Sequence, residues 1–301
     1  MQVLACLDGV IMPVEQARVP VWDRGFLFAD SVYELLRMYG GRCWQEAEHM
    51  ARLARSLREL EFPPHDLGRL KERMDQTIEA SGIREGTLYI QITRGVAPRA
   101  HPFPDPPVPP TEVIVVRPYD DAATARDRTA GVRVVQQPDL RWKRCDIKST
   151  NLLANVLAIE AAKRAGASEA VLVDASGLVT EATHSSLLWV RGGRLEATPE
   201  GPGILPGTTR QLILRLVDGL GIPFVTAQIR LSELKAADEV LLAGTTTEIM
   251  PVVMVDDTTI GSGRPGPIAQ QLQQAYQAAV SSWLGSGSPT KRDGFPLRAE
   301  G

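Results

Sequence analysis

Cysteine is scarce in this chain, and long apolar runs are missing. Cys6, Cys43 and Cys145 are the only cysteines in 301 residues. Three scattered thiols supply neither a disulfide framework nor a zinc ligand set, and no metal site is expected. They fit a reducing compartment. No apolar stretch reaches the roughly 18 residues that a bilayer span needs, so no membrane segment is expected. The N-terminal MQVLACLDGVIMPVEQ lacks a basic region and a long apolar core. A secretory signal peptide is therefore not expected there, and a cytoplasmic address is. Charge of one sign is also in short supply. Lys and Arg number 33 against 36 Asp and Glu, a formal net charge of -3. That balance carries no general footprint for nucleic acid. Any basic cluster must be local and aimed at a small anion. Internal repeats, Walker motifs and dinucleotide fingerprints are absent as well.

What is present is an ordinary soluble composition, 44% hydrophobic and 23% charged, long enough for one large domain or two of ordinary size. QVLACLDGVIMPV reads as two strands around an Asp8-Gly9 turn. SVYELLRMYGGRCW reads as a hairpin turning at Gly40-Gly41. Met50, Leu53, Leu57 and Leu60 recur at helical spacing, and a second helix is expected over 67–81. Strands follow near 87–94 and 111–117. Residues 120–131 are polar without periodic apolar positions and are expected to link an N-terminal α/β domain, 1–119, to a C-terminal domain, 132–285. Beyond the link come the strand VRVVQQ, a helix in TNLLANVLAIEAAKRAGA that Gly166 can cap, and short strands at 170–174, 187–190 and 195–198. A helix after Gly207, the strands near Phe224, in EVLLAG and in PVVMV, and a helix around 268–284 complete the pattern. The Gly/Ser/Pro-rich stretch 286–301 is expected to be a flexible tail. The expected class is α/β, in the α+β sense, with much antiparallel pairing rather than a doubly wound parallel sheet.

Several stretches could carry chemistry. Lys148, in RCDIKSTNLLA, is expected at a helix start. A lysine used as a nucleophile must be neutral, which desolvation or a nearby cation achieves; taken alone, a lysine is more often a surface residue. Glu181, in TEATHSS, precedes small hydroxyl residues. A buried carboxylate can keep a heterocyclic nitrogen protonated, although a turn Glu is usually solvated. Thr208 and Thr209, in ILPGTTR, are either a helix cap or a phosphate site made of free N–H groups, helix dipole and hydroxyls. Thr245 lies in a second such stretch, LLAGTTTEIMP. YIQITRGVAPRAHPFP begins with strand alternation and ends by placing Arg94, Arg99 and His101 among prolines. Reactive lysine, acidic partner and two Thr-rich turns together suggest pyridoxal phosphate.

DRGFLFADSVYELLRMYGG, EHMARLARS, YIQITRGVAPRAHPFP, RCDIKSTNLLANVLA, TEATHSS, ILPGTTR and GTTTEIMPV occur in the order found in the class IV, fold-type IV aminotransferases, which bind pyridoxal 5'-phosphate. The chain resembles that family, and its D-amino acid branch most. The resemblance implies a smaller N-terminal α/β domain and a larger C-terminal domain built as a mixed, largely antiparallel pseudo-barrel. It implies that Lys148 bonds covalently to the cofactor and moves the proton. Glu181 would pair with the pyridine nitrogen, and Arg52, Thr208, Thr209 and Thr245 would hold the phosphate. Tyr33, Arg99 and His101 would bind the substrate α-carboxylate, with the RAH loop completing the pocket of a neighbouring subunit in a homodimer. The implied partners are amino acids and 2-oxo acids.

The chain departs from the family's pattern at several positions. Ala29 and Ser31 replace glycines, Thr183 and His184 replace serines, and Ser186 replaces an asparagine. Pro206 replaces a lysine and Gly244 a serine. Other activities of the same fold are branched-chain L-amino acid transamination, (R)-amine transamination and aminodeoxychorismate lysis; a non-enzymatic binding relative is a further class.

Overall fold

The computed structural model describes residues 2–286, so the expected tail, Ser286 apart, lies outside the described residues. The chain opens with β1 (Leu4–Leu7) and β2 (Val10–Pro13), then a short helix α1 (Arg24–Phe28). β3 (Ser31–Tyr39) and β4 (Arg42–Cys43) follow, then α2 (Glu46–Glu59), α3 (Leu67–Ser81), β5 (Gly86–Thr93) and β6 (Thr111–Pro118). These strands form a six-stranded sheet in the order β2-β1-β6-β5-β3-β4, with every neighbouring pair antiparallel. Gly40 and Gly41 both take positive φ, 61° and 83°. That is what a two-residue hairpin turn requires and what glycine supplies without steric cost. α2 buries His49, Arg52, Leu53, Ser56 and Leu57. Their three- and four-residue spacing forms one helical face, and Leu53 and Leu57 join Leu36, Leu88, Ile90 and Ile114 in the core over this sheet.

Residues 120–131 are not an irregular connection. They carry the helix α4 (Ala122–Ala130). Between Asp121 and Gly131 there is neither Gly nor Pro, and Ala and Arg favour helix even with no apolar stripe. Arg128 ties the helix down through Asp121 and, at 3.6 Å, Glu248.

The second sheet takes β7 (Val132–Pro138), β8 (Glu169–Val173), β9 (Val179–Ala182), β10 (Ser186–Arg191) and β11 (Arg194–Ala197). It continues with β12 (Phe224–Thr226), β13 (Glu239–Gly244), β14 (Glu248–Val255) and β15 (Thr258–Thr259). Its helices are α5 (Leu153–Arg164), α6 (Thr208–Leu220), α7 (Leu231–Lys235) and α8 (Pro267–Gly285). Strand order is β12-β11-β10-β13-β14-β7-β8-β9, with β15 beside β14. Three pairs are parallel, β11·β12, β14·β7 and β7·β8; the rest are antiparallel. Both faces are covered. Leu187, Trp189, Val240 and Leu242 enter one core, and Leu188, Val190, Leu241 and Ala243 enter the other. Alternate residues of β10 and β13 thus serve opposite faces, which is why these strands read as continuous apolar runs. β9 ends the strand order while β10 lies well inside it, yet three residues join them, and the Ala182 N–H bonds the Ser185 carbonyl at 3.0 Å. Such a short joint requires the sheet to curl back on itself, as the expected pseudo-barrel demands. No helix among the described residues is long and apolar enough to cross a membrane.

Candidate active site

One cavity lies between the two sheets. Tyr33 and Arg52 reach it from β3 and α2, and Lys148, Glu181, Thr208, Thr209 and Thr245 reach it from the chain beyond α4. Seven of the nine expected site residues therefore line one space. Arg99 and His101 do not.

Lys148 is not at a helix start. It lies in an irregular segment, between a turn at 145–146 and the isolated bridge residue Ser149, five residues before α5. Tertiary bonds hold it there: the Tyr33 N–H donates to the Lys148 carbonyl at 2.9 Å, and the Lys148 N–H to Ser56 Oγ at 3.2 Å. Ser149 bridges to Val32 on β3, and Ile147 is buried in the first core. The half-buried side chain places Nζ 4.3 Å from the centre of the Tyr33 ring. An amine on an aromatic face, with its backbone stitched to a rigid strand, is held in position for chemistry.

Glu181 is buried on β9. Arg141 Nη1 touches Glu181 Oε1, and Arg141 is itself braced by Asp139, with Nη2 to Oδ2 at 2.7 Å. Burial pushes the Glu181 carboxyl above its usual range, while Arg141 and the Leu205 N–H oppose it. For Arg141, burial acts downward and is outweighed by Asp139 and Glu181, so the guanidinium is held charged. Arg141 carries no signal in the sequence. Its partner on β9 is 40 residues away.

Arg52 is held as part of a buried cluster. Its Nε and Nη2 donate to the two Glu34 oxygens, both at 2.8 Å, and Nη1 donates to the Pro206 carbonyl at 2.9 Å. His49 Nδ1 lies 2.7 Å from Glu34 Oε2, and its Nε2 lies 3.3 Å from Thr208 Oγ1. The burial of Glu34 would raise its pKa, but Arg52 and His49 hold the carboxyl far below the usual range. Burial pushes the His49 imidazole down, against the pull of Glu34. A neutral ring that donates from Nδ1 and accepts at Nε2 fits both contacts. Glu34 and His49 were not expected site residues. Two signals could have shown them: a carboxylate within the apolar run of β3, and the His49/Arg52 spacing on one helical face.

The cavity fits a phosphate-bearing cofactor. The N-cap of α6 is Gly207, and no side chain caps that helix, so Thr is not the cap that local reading allows. Ser185 Oγ and Thr247 Oγ1 are buried without a hydrogen-bond partner. A Cβ at Gly244 would lie 2.6 Å from Thr247 Oγ1 and 3.3 Å from Ser185 Oγ, and one at Gly207 would lie 2.5 Å from Ser186 Oγ. Free helix N–H groups and the orphaned Ser185 hydroxyl, beside two glycines on the cavity wall, form a cradle for an anion with several acceptor oxygens. The glycine at 244 matches this crowding.

The loop with Arg99 and His101 is built differently. Arg24 pins its backbone, donating to the Ala100 carbonyl at 2.6 Å and the His101 carbonyl at 3.2 Å. The Arg99 and His101 side chains are exposed and lie against Phe28, at 5.3 Å and 5.6 Å from its ring centre. Arg94, the third basic residue of that stretch, has another task. It is buried, pairs with Asp30 at 2.8 Å, and donates to the Leu60 and Glu61 carbonyls.

Against known proteins, residues 31–255 match the family Amino-transferase class IV. The D-alanine aminotransferase of Staphylococcus haemolyticus is 37% identical over 92% of this chain and 97% of its own length. That of Bacillus licheniformis is 36% identical over 91% and 96%. Among solved structures, the branched-chain amino acid aminotransferase of Escherichia coli superposes with a TM-score of 0.87 at 26% identity, covering 92% of this chain and 94% of that one. A branched-chain amino acid aminotransferase from T.th., solved with pyridoxamine 5'-phosphate, gives 0.85 at 26%, covering 94% and 95%.

Proposed function

The chain belongs to the class IV aminotransferases, and on that premise we propose that it exchanges amino groups between D-amino acids, such as D-alanine and D-glutamate, and 2-oxo acids. The exchange is ping-pong, and pyridoxal phosphate is the cofactor. The observation that carries the reading is the meeting of Lys148, Glu181, Arg52 and the N-terminus of α6 in one cavity, in a chain similar to D-alanine aminotransferases over nine-tenths of its length.

When bound, pyridoxal phosphate would supply the electron sink for loss of the substrate's Cα proton. Lys148 Nζ holds the cofactor and carries that proton. Glu181, steadied by Arg141, keeps a proton on the ring nitrogen. Thr208, Thr209, Thr245 and Arg52 hold the phosphate, and Glu34 and His49 keep Arg52 in place. Tyr33 meets the substrate carboxylate within this chain. Arg99 and His101 belong to the same clamp but do not line the cavity of their own chain, so they act on a second copy in a homodimer. Exposed Val21, Trp22, Phe26 and Phe103 near that loop, at 68%, 52%, 74% and 50% of full exposure, are the apolar surface such an interface would cover. Light scattering at micromolar protein should give the mass of two chains. A cytoplasmic setting rests on three free cysteines, which fit a reducing compartment; cell fractionation checks it.

A panel of D and L amino donors with pyruvate or 2-oxoglutarate tests the activity. D-alanine and D-glutamate should react and their L enantiomers should not. Turnover of L-leucine instead would favour the branched-chain reading. Pyruvate release from aminodeoxychorismate without a second 2-oxo acid would favour the lyase.

A further inference from the structure

His184 departs from the family's pattern and occupies the three-residue joint between β9 and β10. It lines the cavity with Lys148. Its Nδ1 lies 2.6 Å from Glu169 Oε2 and 3.1 Å from Thr183 Oγ1. Glu169, on β8, is 2% exposed. One of its oxygens is satisfied, accepting from the Ala170 N–H at 2.9 Å, the Thr183 N–H at 3.2 Å and the Thr183 hydroxyl. The other, Oε2, is buried and meets no aligned hydrogen-bond donor. His184 Nδ1 at 2.6 Å is therefore an ion-pair contact, the charge partner that a buried carboxylate oxygen needs.

This arrangement fixes the ring. Nδ1 lies against Glu169, so in a charged ring Nε2–H is the proton left to donate elsewhere. The His184 side chain lines the cavity and is 55% exposed. It therefore stands at the open end of the cavity rather than its enclosed end. The other cavity cations are committed: Arg52 to Glu34, Arg141 to Asp139 and Glu181, and Lys148 to the cofactor in the reading above. A Glu169-backed imidazole at the open end is a donor with no assigned acceptor.

We propose that His184, positioned by Glu169, binds the second carboxylate of dicarboxylic substrates, and so favours D-glutamate and D-aspartate and their 2-oxo acids over D-alanine and pyruvate. The inference rests on the D-amino acid reading. A cationic donor near the open end meets the substrate's outward-reaching side chain, while Tyr33, with Arg99 and His101, takes the α-carboxylate. Burial alone would lower the His184 pKa, but Glu169 outweighs burial and the nearby Lys148 and raises it, which favours the charged donor the contact needs.

The test uses the holoenzyme and two variants, His184→Asn and His184→Gln, which keep a polar side chain without the charge. In the half-reaction followed by cofactor absorbance, the ratio of kcat/KM for D-glutamate to that for D-alanine should fall about tenfold or more, as loss of a charge-assisted bond implies. The loss should lie mainly in KM. Glutarate, a dicarboxylate without an amino group, should bind the variants about tenfold more weakly by calorimetry, while propionate should show a smaller change. Glu169→Gln should reproduce the glutarate loss if Glu169 positions the ring. An unchanged donor ratio with unchanged glutarate binding overturns the proposal, as a solvated turn histidine would give that result. Equal losses for both donors, with a shifted cofactor spectrum or weaker cofactor retention, also overturn it, because His184 would then face the cofactor. Failure of the underlying reading looks different: the parent enzyme would be inert toward both D donors, while the glutarate arm would still report on the pair.

Discussion

The cavity and the RAH loop both gather cationic side chains, but they stand in opposite states. In the cavity nearly every charge is paired within the chain: Arg52 with Glu34, Arg141 with Asp139 and Glu181, His184 with Glu169. In the loop the backbone is pinned by Arg24 while Arg99 and His101 project into solvent. Desolvated charges need partners at hand; exposed ones wait for a partner at little cost. The charges of the cavity are therefore largely matched within one chain, and those of the loop are not.

The sharpest way to press this contrast is Lys148→Ala. Transamination should fall by at least ~10³-fold, the scale of a lost proton carrier, with thermal stability near that of the parent. Mass spectrometry after borohydride reduction of the parent should place the pyridoxyl group on Lys148; an adduct on another lysine would sink the assignment.

Next in size is Glu34→Gln, which leaves the buried Arg52 charge without its counterion. Stability should drop by ~3–5 kcal/mol in denaturant titrations, and the cofactor should be held less tightly. The pH dependence has a definite sign. Glu34 is held below its unfolded value in the folded state, so its contribution is complete above the ordinary carboxylate range and is lost as pH falls toward the folded value. The parent's melting temperature should therefore decline on acidification more steeply than that of Glu34→Gln. Parallel curves would show that the cluster is not what acid breaks.

Arg99→Ala tests the other half of the comparison. It should lower kcat/KM for D-alanine by roughly tenfold to a hundredfold, the worth of a charge-assisted hydrogen bond, and Arg99→Lys should recover only part, since a point charge lacks the planar fork. Its melting temperature should not move, because an exposed side chain has little to lose. Kinetics within about twofold of the parent would make the loop a solvated surface and end its assignment to the clamp.

The smallest expected effect is that of Glu181→Gln. An amide keeps much of the geometry but no longer holds a proton on the ring nitrogen, so proton transfer should slow about tenfold in stopped-flow traces with the cofactor largely retained. Burial already raises the Glu181 carboxyl, and Arg141 opposes it. Arg141→Met should thus let Glu181 take up a proton more readily and weaken the same step.

Much of this was legible along the chain. The Asp8-Gly9 and Gly40-Gly41 turns, the helix Leu67–Ser81, and the alternation in β5 are local in origin, since turn residues and periodicity act within a few positions. The helix Ala122–Ala130 was not legible as a helix because it has no apolar stripe; propensity and the Asp121–Arg128 pair form it. Arg94 looked like a member of the basic cluster because neighbours in sequence look alike, whereas strand geometry turns it inward to Asp30.

The sequence by itself determined the alternation of strand and helix and, through its motifs, marked a lysine and a glutamate that line the cavity. Those properties reside in residue type and short spacing. Only the tertiary structure decided which carboxylate claims which cation, that Lys148 is held by backbone bonds to Tyr33 and Ser56 rather than starting a helix, and that His184 stands beside Glu169. It also separated Arg99 and His101 from Tyr33 within one chain. Pairings such as His49 with Thr208 join residues 159 positions apart, and charge pairing in a desolvated interior depends on distance through space, which no spacing along the chain encodes.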